Sequence, residues 1–157
     1  FPPADHAGEG PQEDAFMPYT ADSQLEAITL LGESVARVQS SLNIELDVAI
    51  RPKRNFDPRR HSAKYLAGRE ELIKKLDWTL TAPDEVQEVS VQQATLVLSY
   101  PWCSSMTLAR LYNRPSAAIA CRYTVDFRAV SPKNAVLFDS VSALSSWMMR
   151  GIGQHWE

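Results

Sequence analysis

The sequence predicts an α+β domain of two layers, with helices packed on one face of an antiparallel sheet and an extended N-terminal arm in front. Three observations carry this expectation. Apolar residues recur at helical spacing over residues 23–42 and 62–77, residues 117–130 alternate with period two before a turn and a short return at 135–138, and residues 1–22 show neither pattern. The expected division is therefore an acidic, Pro/Gly-rich arm over residues 1–22 and a single α+β domain over 23–157.

The arm carries Asp5, Glu9, Glu13, Asp14 and Asp22 without a Lys or Arg, and Pro or Gly stands at positions 2, 3, 8, 10, 11 and 18. Such a segment cannot bury a core of its own. It becomes ordered only against the chain's own body or against a neighbouring subunit. Removing those five acids leaves 14 of the 19 Asp and Glu to face 16 Lys and Arg, so the body is mildly basic and can attract the arm. Neither half has the strong basic excess of a dedicated nucleic-acid binder.

Ser23 and Glu26 have the S-x-x-E spacing of a capping box, which places a helix start there. Ile28, Leu31, Val35, Val38 and Leu42 then follow at intervals of three and four, a seam laid against another element. From Asn43 to Ile50 the period drops to two, with Ile44, Leu46, Val48 and Ile50 on one side, so a half-buried strand is expected. Pro52 and Pro58 make residues 51–61 a loop. A second helix is expected over Ser62 to Asp77, where Tyr65, Leu66, Leu72, Ile73 and Leu76 share a face, weakened by Gly68.

Val86 to Tyr100 is rich in Val, Thr and Leu and reads as strand, but its alternation changes phase between Val91 and Ala94, which implies a bulge or two short strands. A short helix is expected around Ser105 to Tyr112. In the segment Ala117 to Val130, Ile119, Cys121, Tyr123, Val125 and Phe127 face one way and Arg122, Thr124, Asp126 and Arg128 the other. One packed and one wet face suit an antiparallel sheet, and Ser131-Pro132-Lys133-Asn134 suits a hairpin turn back into Ala135 to Phe138. A closing helix from Asp139 or Ser140 would bury Val141, Leu144 and Met148, with Gly151 and Gly153 ending it. No internal repeat is visible.

The densest chemical signal is basic. Arg51, Lys53, Arg54, Arg59, Arg60 and His61 fall within residues 51–61, opposed only by Asp57 and joined by Phe56. Such a run is a solvated loop or a docking surface for acidic protein, including the chain's own arm. Guanidinium groups at this density also suit the phosphates of a nucleic acid with Phe56 stacked on a base, or anionic headgroups. A second group is Trp147, Met149 and Trp156, whose side chains bring large apolar area to a protein contact; the alternative is that the last helix buries Met148 and one Trp internally.

Catalytic signals are thin. Cys103 with His61 or His155, oriented by Asp126 or Asp139, is the one thiol-and-base combination, and no spacing brings its members together. Ser104 and Ser105 lack the G-x-S-x-G elbow, no G-x-x-x-x-G-K-[ST] loop exists, and Gly151-Ile152-Gly153 reads as a helix stop. Cys103 and Cys121 form one disulfide or stay as buried thiols, the packed thiol being preferred for Cys121 in its alternating strand. Two isolated cysteines with His6, His61 and His155 scattered do not make a metal site, and no cofactor is expected. The uncharged run Val89 to Ala109 is too interrupted by Ser, Gln and Pro for a transmembrane segment.

The reading that follows is a non-catalytic accessory subunit or adaptor of a larger multiprotein complex. It would bind neighbouring protein subunits through its arm, through Arg51, Lys53, Arg54, Phe56, Arg59 and Arg60, and through Trp147, Met149 and Trp156. The first alternative is a nucleic-acid-binding component of a ribonucleoprotein using the basic run; the second is a small cysteine-dependent enzyme. The Phe1 start fits a protein relieved of a presequence, with a mitochondrial location expected ahead of a secreted or periplasmic one.

Overall fold

Two short parallel sheets and five helices make up the computed structural model, which describes residues 21–51, 63–82, 85–100, 103–120 and 136–153. In chain order the elements are α1 (Ala21–Leu42), β1 (Ala49–Ile50), α2 (Ala63–Lys75), β2 (Thr79–Leu80), α3 (Gln87–Gln93), β3 (Val97–Ser99), α4 (Ser104–Leu111), β4 (Ser116–Ile119), β5 (Leu137–Phe138) and α5 (Val141–Gly153).

The antiparallel sheet with helices on one face is not what forms. β1 pairs with β2 in parallel, Ala49 beside Thr79, and the second sheet runs β3-β4-β5 with both pairings parallel. The reason lies in the connections. α2 separates β1 from β2 and α4 separates β3 from β4, and a chain that leaves one strand through a helix returns to enter the next in the same direction. Leu137–Phe138, expected as the return arm of a hairpin, likewise lies parallel to β4, with Ala118 beside Leu137 and Ile119 beside Phe138. The turn at 131–134 and most of the alternating segment lie outside the described residues.

The three-stranded sheet is covered on both faces. Leu98, Ile119 and Phe138 join the larger core with Val35 and Val38 of α1 and Leu144, Met148 and Ile152 of α5. Val97, one residue earlier on β3, faces the other way into a second core with Val91 of α3 and Ala109 of α4. Ala117, Ala118 and Ile119 are consequently all buried. A parallel strand buried on both sides is a continuous apolar run rather than an alternation.

Expected and observed helices agree where burial is one-sided. α2 falls inside the predicted 62–77, with Tyr65 and Ile73 buried, and α4 matches the predicted 105–112 to within a residue. α5 buries Leu144 and Met148 as expected, and the Ser140 hydroxyl accepts from the Ala143 amide at its N-terminus. Three details differ. Ser23 lies inside α1 and is buried, so it is not the residue that precedes the helix. Residues 87–93 are helical, and the phase break near Ala94 marks the passage from α3 to β3. Gly151 does not stop α5 but sits within it, where a Cβ would come 2.6 Å from Leu96 Cδ2.

α1 and α2 run side by side in the same direction: Asp22 pairs with Lys64, Gln24 Oε1 accepts from the Tyr65 hydroxyl at 2.7 Å, Leu25 packs at Gly68, and Gly32 lies under Leu76. The exposed Asp22–Lys64 pair adds little to stability. Gly68, a liability for helix propensity, is what lets Leu25 approach, since its missing Cβ would stand 3.1 Å from Leu25 Cδ1.

Three helices end in one device that the sequence shows once it is known. Asn43, Asp77 and Asn113 have φ of 53°, 55° and 54°, and the next amide bonds back five residues, Ile44 to the Gln39 carbonyl, Trp78 to Ile73 and Arg114 to Ala109. This is the Schellman closure, in which a left-handed residue turns the chain out of the helix. In the first two, the following Ile44 or Trp78 packs on the larger core. Replacing Asp77 by Val, which resists the left-handed region, should cost about 1–2 kcal/mol. Asp77→Gly should stay within about 0.5 kcal/mol of the parent. Urea unfolding midpoints of the two variants check this.

Between Asn43 and Ile50 burial alternates as expected, with Ile44, Leu46 and Val48 partly buried and Glu45 and Asp47 exposed, but only Ala49–Ile50 is paired as strand. The Gln39 side-chain oxygen accepts from the Leu46 amide at 2.8 Å and holds this extended segment against α1.

Candidate functional site

Two places concentrate polar or uncovered side chains, one at the end of each sheet. At the first, β1 ends on Ile50, whose carbonyl accepts from the Thr81 amide at 2.9 Å, and Arg51 follows directly. One Arg51 Nη donates to the Glu85 carbonyl, which ties the start of α3 to the end of the β1–β2 sheet. Around this tie stand uncovered apolar side chains. Leu80, opposite Ile50 in the pairing, is 42% exposed, and Val86 and Val89, three residues apart at the start of α3, are 55% and 46% exposed. The Glu85 carboxylate accepts from Ser90 Oγ at 2.6 Å.

Arg51 is the member of the basic run that the structure places. Lys53, Arg54, Phe56, Arg59, Arg60 and His61 lie outside the described residues, in the segment joining β1 to α2. The C-terminal group divides similarly. Trp147 packs on the Phe138 ring with centroids 5.7 Å apart, Trp147 and Met149 both lean on the larger core, and Trp156 is outside the described residues.

The second place is the end of β3. Cys103 is a free, exposed thiol rather than a buried one, and it precedes the first residue of α4 in extended conformation, φ −150°. Its Sγ donates to Ser105 Oγ at 3.2 Å, and Gln87 Nε2, from the first residue of α3, donates to the same oxygen. Ser99, the last residue of β3, is 8% exposed, and its Oγ is buried without a hydrogen-bond partner among the described residues. Sequence reasoning missed this group. The available signal was a serine two residues beyond Val97, on the same side of the strand.

Of the thiol-and-base combination, His61, His155 and Asp126 lie outside the described residues, as does Cys121, and Asp139 is an exposed residue between β5 and α5. Among the described residues, no three or more His, Cys, Asp or Glu gather to hold a metal ion, and no helix is long and apolar enough to cross a membrane. Comparison with known proteins finds no matching family model, no matching curated protein and no matching solved structure.

Proposed function

We propose that this chain is a non-catalytic interaction subunit whose partner is a protein segment carrying acidic side chains beside apolar ones. The observation that supports this most directly is the uncovered apolar set Leu80, Val86 and Val89 around the Arg51–Glu85 tie, at the point where the run containing Lys53, Arg54, Arg59 and Arg60 begins. Apolar side chains supply contact energy by leaving water, and the basic run selects an acidic partner and speeds its encounter. The acidic residues 1–22 give the same chemistry in the chain itself, so a second copy's arm is one form such a partner can take.

The test is the mass and composition of the native particle purified with the full chain under mild salt. A defined stoichiometric protein partner is expected. It should be lost in a Val86→Asp/Val89→Asp double variant, and weakened by added salt when Arg54, Arg59 and Arg60 are intact. Both valines are exposed, so the double variant should keep the parent's unfolding free energy to within about 1 kcal/mol. A particle near 17.6 kDa with no companion, or a companion that is nucleic acid, overturns the proposal.

A further inference from the structure

Among the described residues no strand lies beyond β2 on the side away from β1. The amides of Thr79 and Thr81 donate to the Val48 and Ile50 carbonyls at 3.0 and 2.9 Å, so the N–H and C=O of Leu80, between them, turn away from β1. Both residues of β2 are exposed. Two strands of two residues make a marginal ladder, and parallel strands are ordinarily covered. The open edge can be completed by an extended segment that adds a strand through its main chain. Val86 and Val89, brought to this end of the sheet by the Arg51–Glu85 tie, stand uncovered to receive apolar side chains.

The direction of the strands indicates which segment reaches this edge. α1 and α2 run the same way, with Asp22 at Lys64 and Gly32 at Leu76. α2 carries the chain from the end of β1 back to the start of β2, so both strands run opposite to α2, toward the end of the molecule where α1 begins. The Gln39–Leu46 bond agrees, because it lays the segment after α1 back along that helix. Ala21 is a rise of about 16 Å from Gly32 along α1, and β2 starts three residues after Leu76 and heads toward the Ala21 end. With the layers about 10 Å apart, Leu80 lies within about 20 Å of the start of α1, a span that six extended residues cover.

Residues 1–20 join α1 at that end. Within them residues 12–17 form a stretch without Pro or Gly, with Phe16 and Met17 following the acids Glu13 and Asp14. Pro11 and Pro18, which cannot donate to a ladder, bound it. Arg51 follows Ile50 at the end of β1, and a guanidinium has five N–H donors, so its bond to the Glu85 carbonyl leaves it able to take a carboxylate. The Glu85 carboxylate is itself engaged by Ser90 Oγ.

We propose that residues 12–17 of the same chain pair in parallel with β2 as a third strand, with one of Phe16 and Met17 against Leu80, Val86 and Val89, and an acid of the segment toward Arg51. A segment running into α1 from this edge has the direction of β2, and every pairing in the described sheets is parallel. The inference rests on the partner surface proposed for Leu80, Val86 and Val89 and supplies its occupant: the arm is an internal ligand that an acidic, apolar partner has to displace.

Two readouts on the purified full chain test this. In the first, Phe16→p-benzoylphenylalanine is photolysed and the crosslinked peptides are mapped by mass spectrometry. Crosslinks to the peptides holding Leu80, Val86 or Val89 are expected in a species of 17.6 kDa, and Leu80→Lys should remove them. In the second, amide exchange is followed by NMR. The Leu80 amide should exchange at least about tenfold more slowly than an unpaired amide. Phe16→Asp/Met17→Asp should release it while the Thr81 amide, bonded to Ile50, stays protected. A crosslink elsewhere, or one confined to a species of twice the mass, overturns the proposal. So does a Leu80 amide that exchanges freely in the parent chain or stays protected in the arm variant. Both readouts are taken without a partner, so a missing companion in the native particle does not move them, and their failure leaves the partner test standing.

Discussion

Ala117→Asp and Ala118→Asp should each abolish the native fold, although the two side chains point to opposite faces of the sheet. Both residues are 0% exposed, Ala117 on the α1/α5 side with Leu98 and Ala118 on the α3/α4 side with Ser99. A carboxylate in either place stands on a face packed with apolar side chains and loses its hydration. Such a charge costs several kcal/mol even when it takes up a proton instead. Domains of this size are stable by about 5–15 kcal/mol, so one such change consumes most of the margin. In an antiparallel sheet with one wet face, one of the two variants would remain folded. Far-ultraviolet circular dichroism and urea titration of both therefore separate the two architectures, and survival of either variant with a near-parent midpoint would count against the doubly covered sheet.

Leu144→Ala should lower stability by about 2–5 kcal/mol. Leu144 is fully buried in α5 where that helix meets Val35 and Val38 of α1 and Ile119 of β4, so truncation opens a cavity between the two longest-range partners in the larger core. The surrounding residues are held on helices and a strand and collapse only partly into the space. Ser142→Ala, on the exposed side of the same helix, should stay within about 0.5 kcal/mol of the parent. Guanidinium unfolding midpoints at matched slopes measure both. A loss below about 1 kcal/mol for Leu144→Ala would mean that α5 does not close the core as described.

The helices were legible because each buries one stripe, and a stripe leaves a period in the sequence. Tyr65 and Ile73 of α2 and Leu144 and Met148 of α5 are buried as their spacing requires. The alternation over residues 43–50 also reports real burial, though it runs in an extended segment stitched to Gln39 more than in a strand. What misled was composition near a break in phase: Val86, Val89 and Val91 look like strand, yet residues 87–93 form a helix whose Val91 alone is buried. Tertiary packing on Val97 and Ala109 overrides the β preference of valine there. The helix stops at Asn43, Asp77 and Asn113 stand in the sequence but give a weak signal, because Asn and Asp in the left-handed region are rarer stops than Gly.

The candidate sites were legible unequally. Arg51 and Cys103 were singled out by residue type, but neither the Arg51–Glu85 tie nor the Gln87–Ser105–Cys103 group follows from spacing, since each joins residues from different elements. Ser99 looks like an interruption of an apolar strand until its face is known.

By itself, then, the sequence determined where α1, α2, α4 and α5 lie and which face each buries, and that acid and base are segregated between residues 1–22 and residues 51–61. Only the tertiary structure decided that the strands run parallel, that the sheet is covered on both sides, and that Gln87 meets Ser105 at the start of α4. Periodicity records the direction in which a side chain points relative to its own backbone. Strand direction and face are set by where each connecting helix carries the chain, a property shared between segments and written in none of them alone.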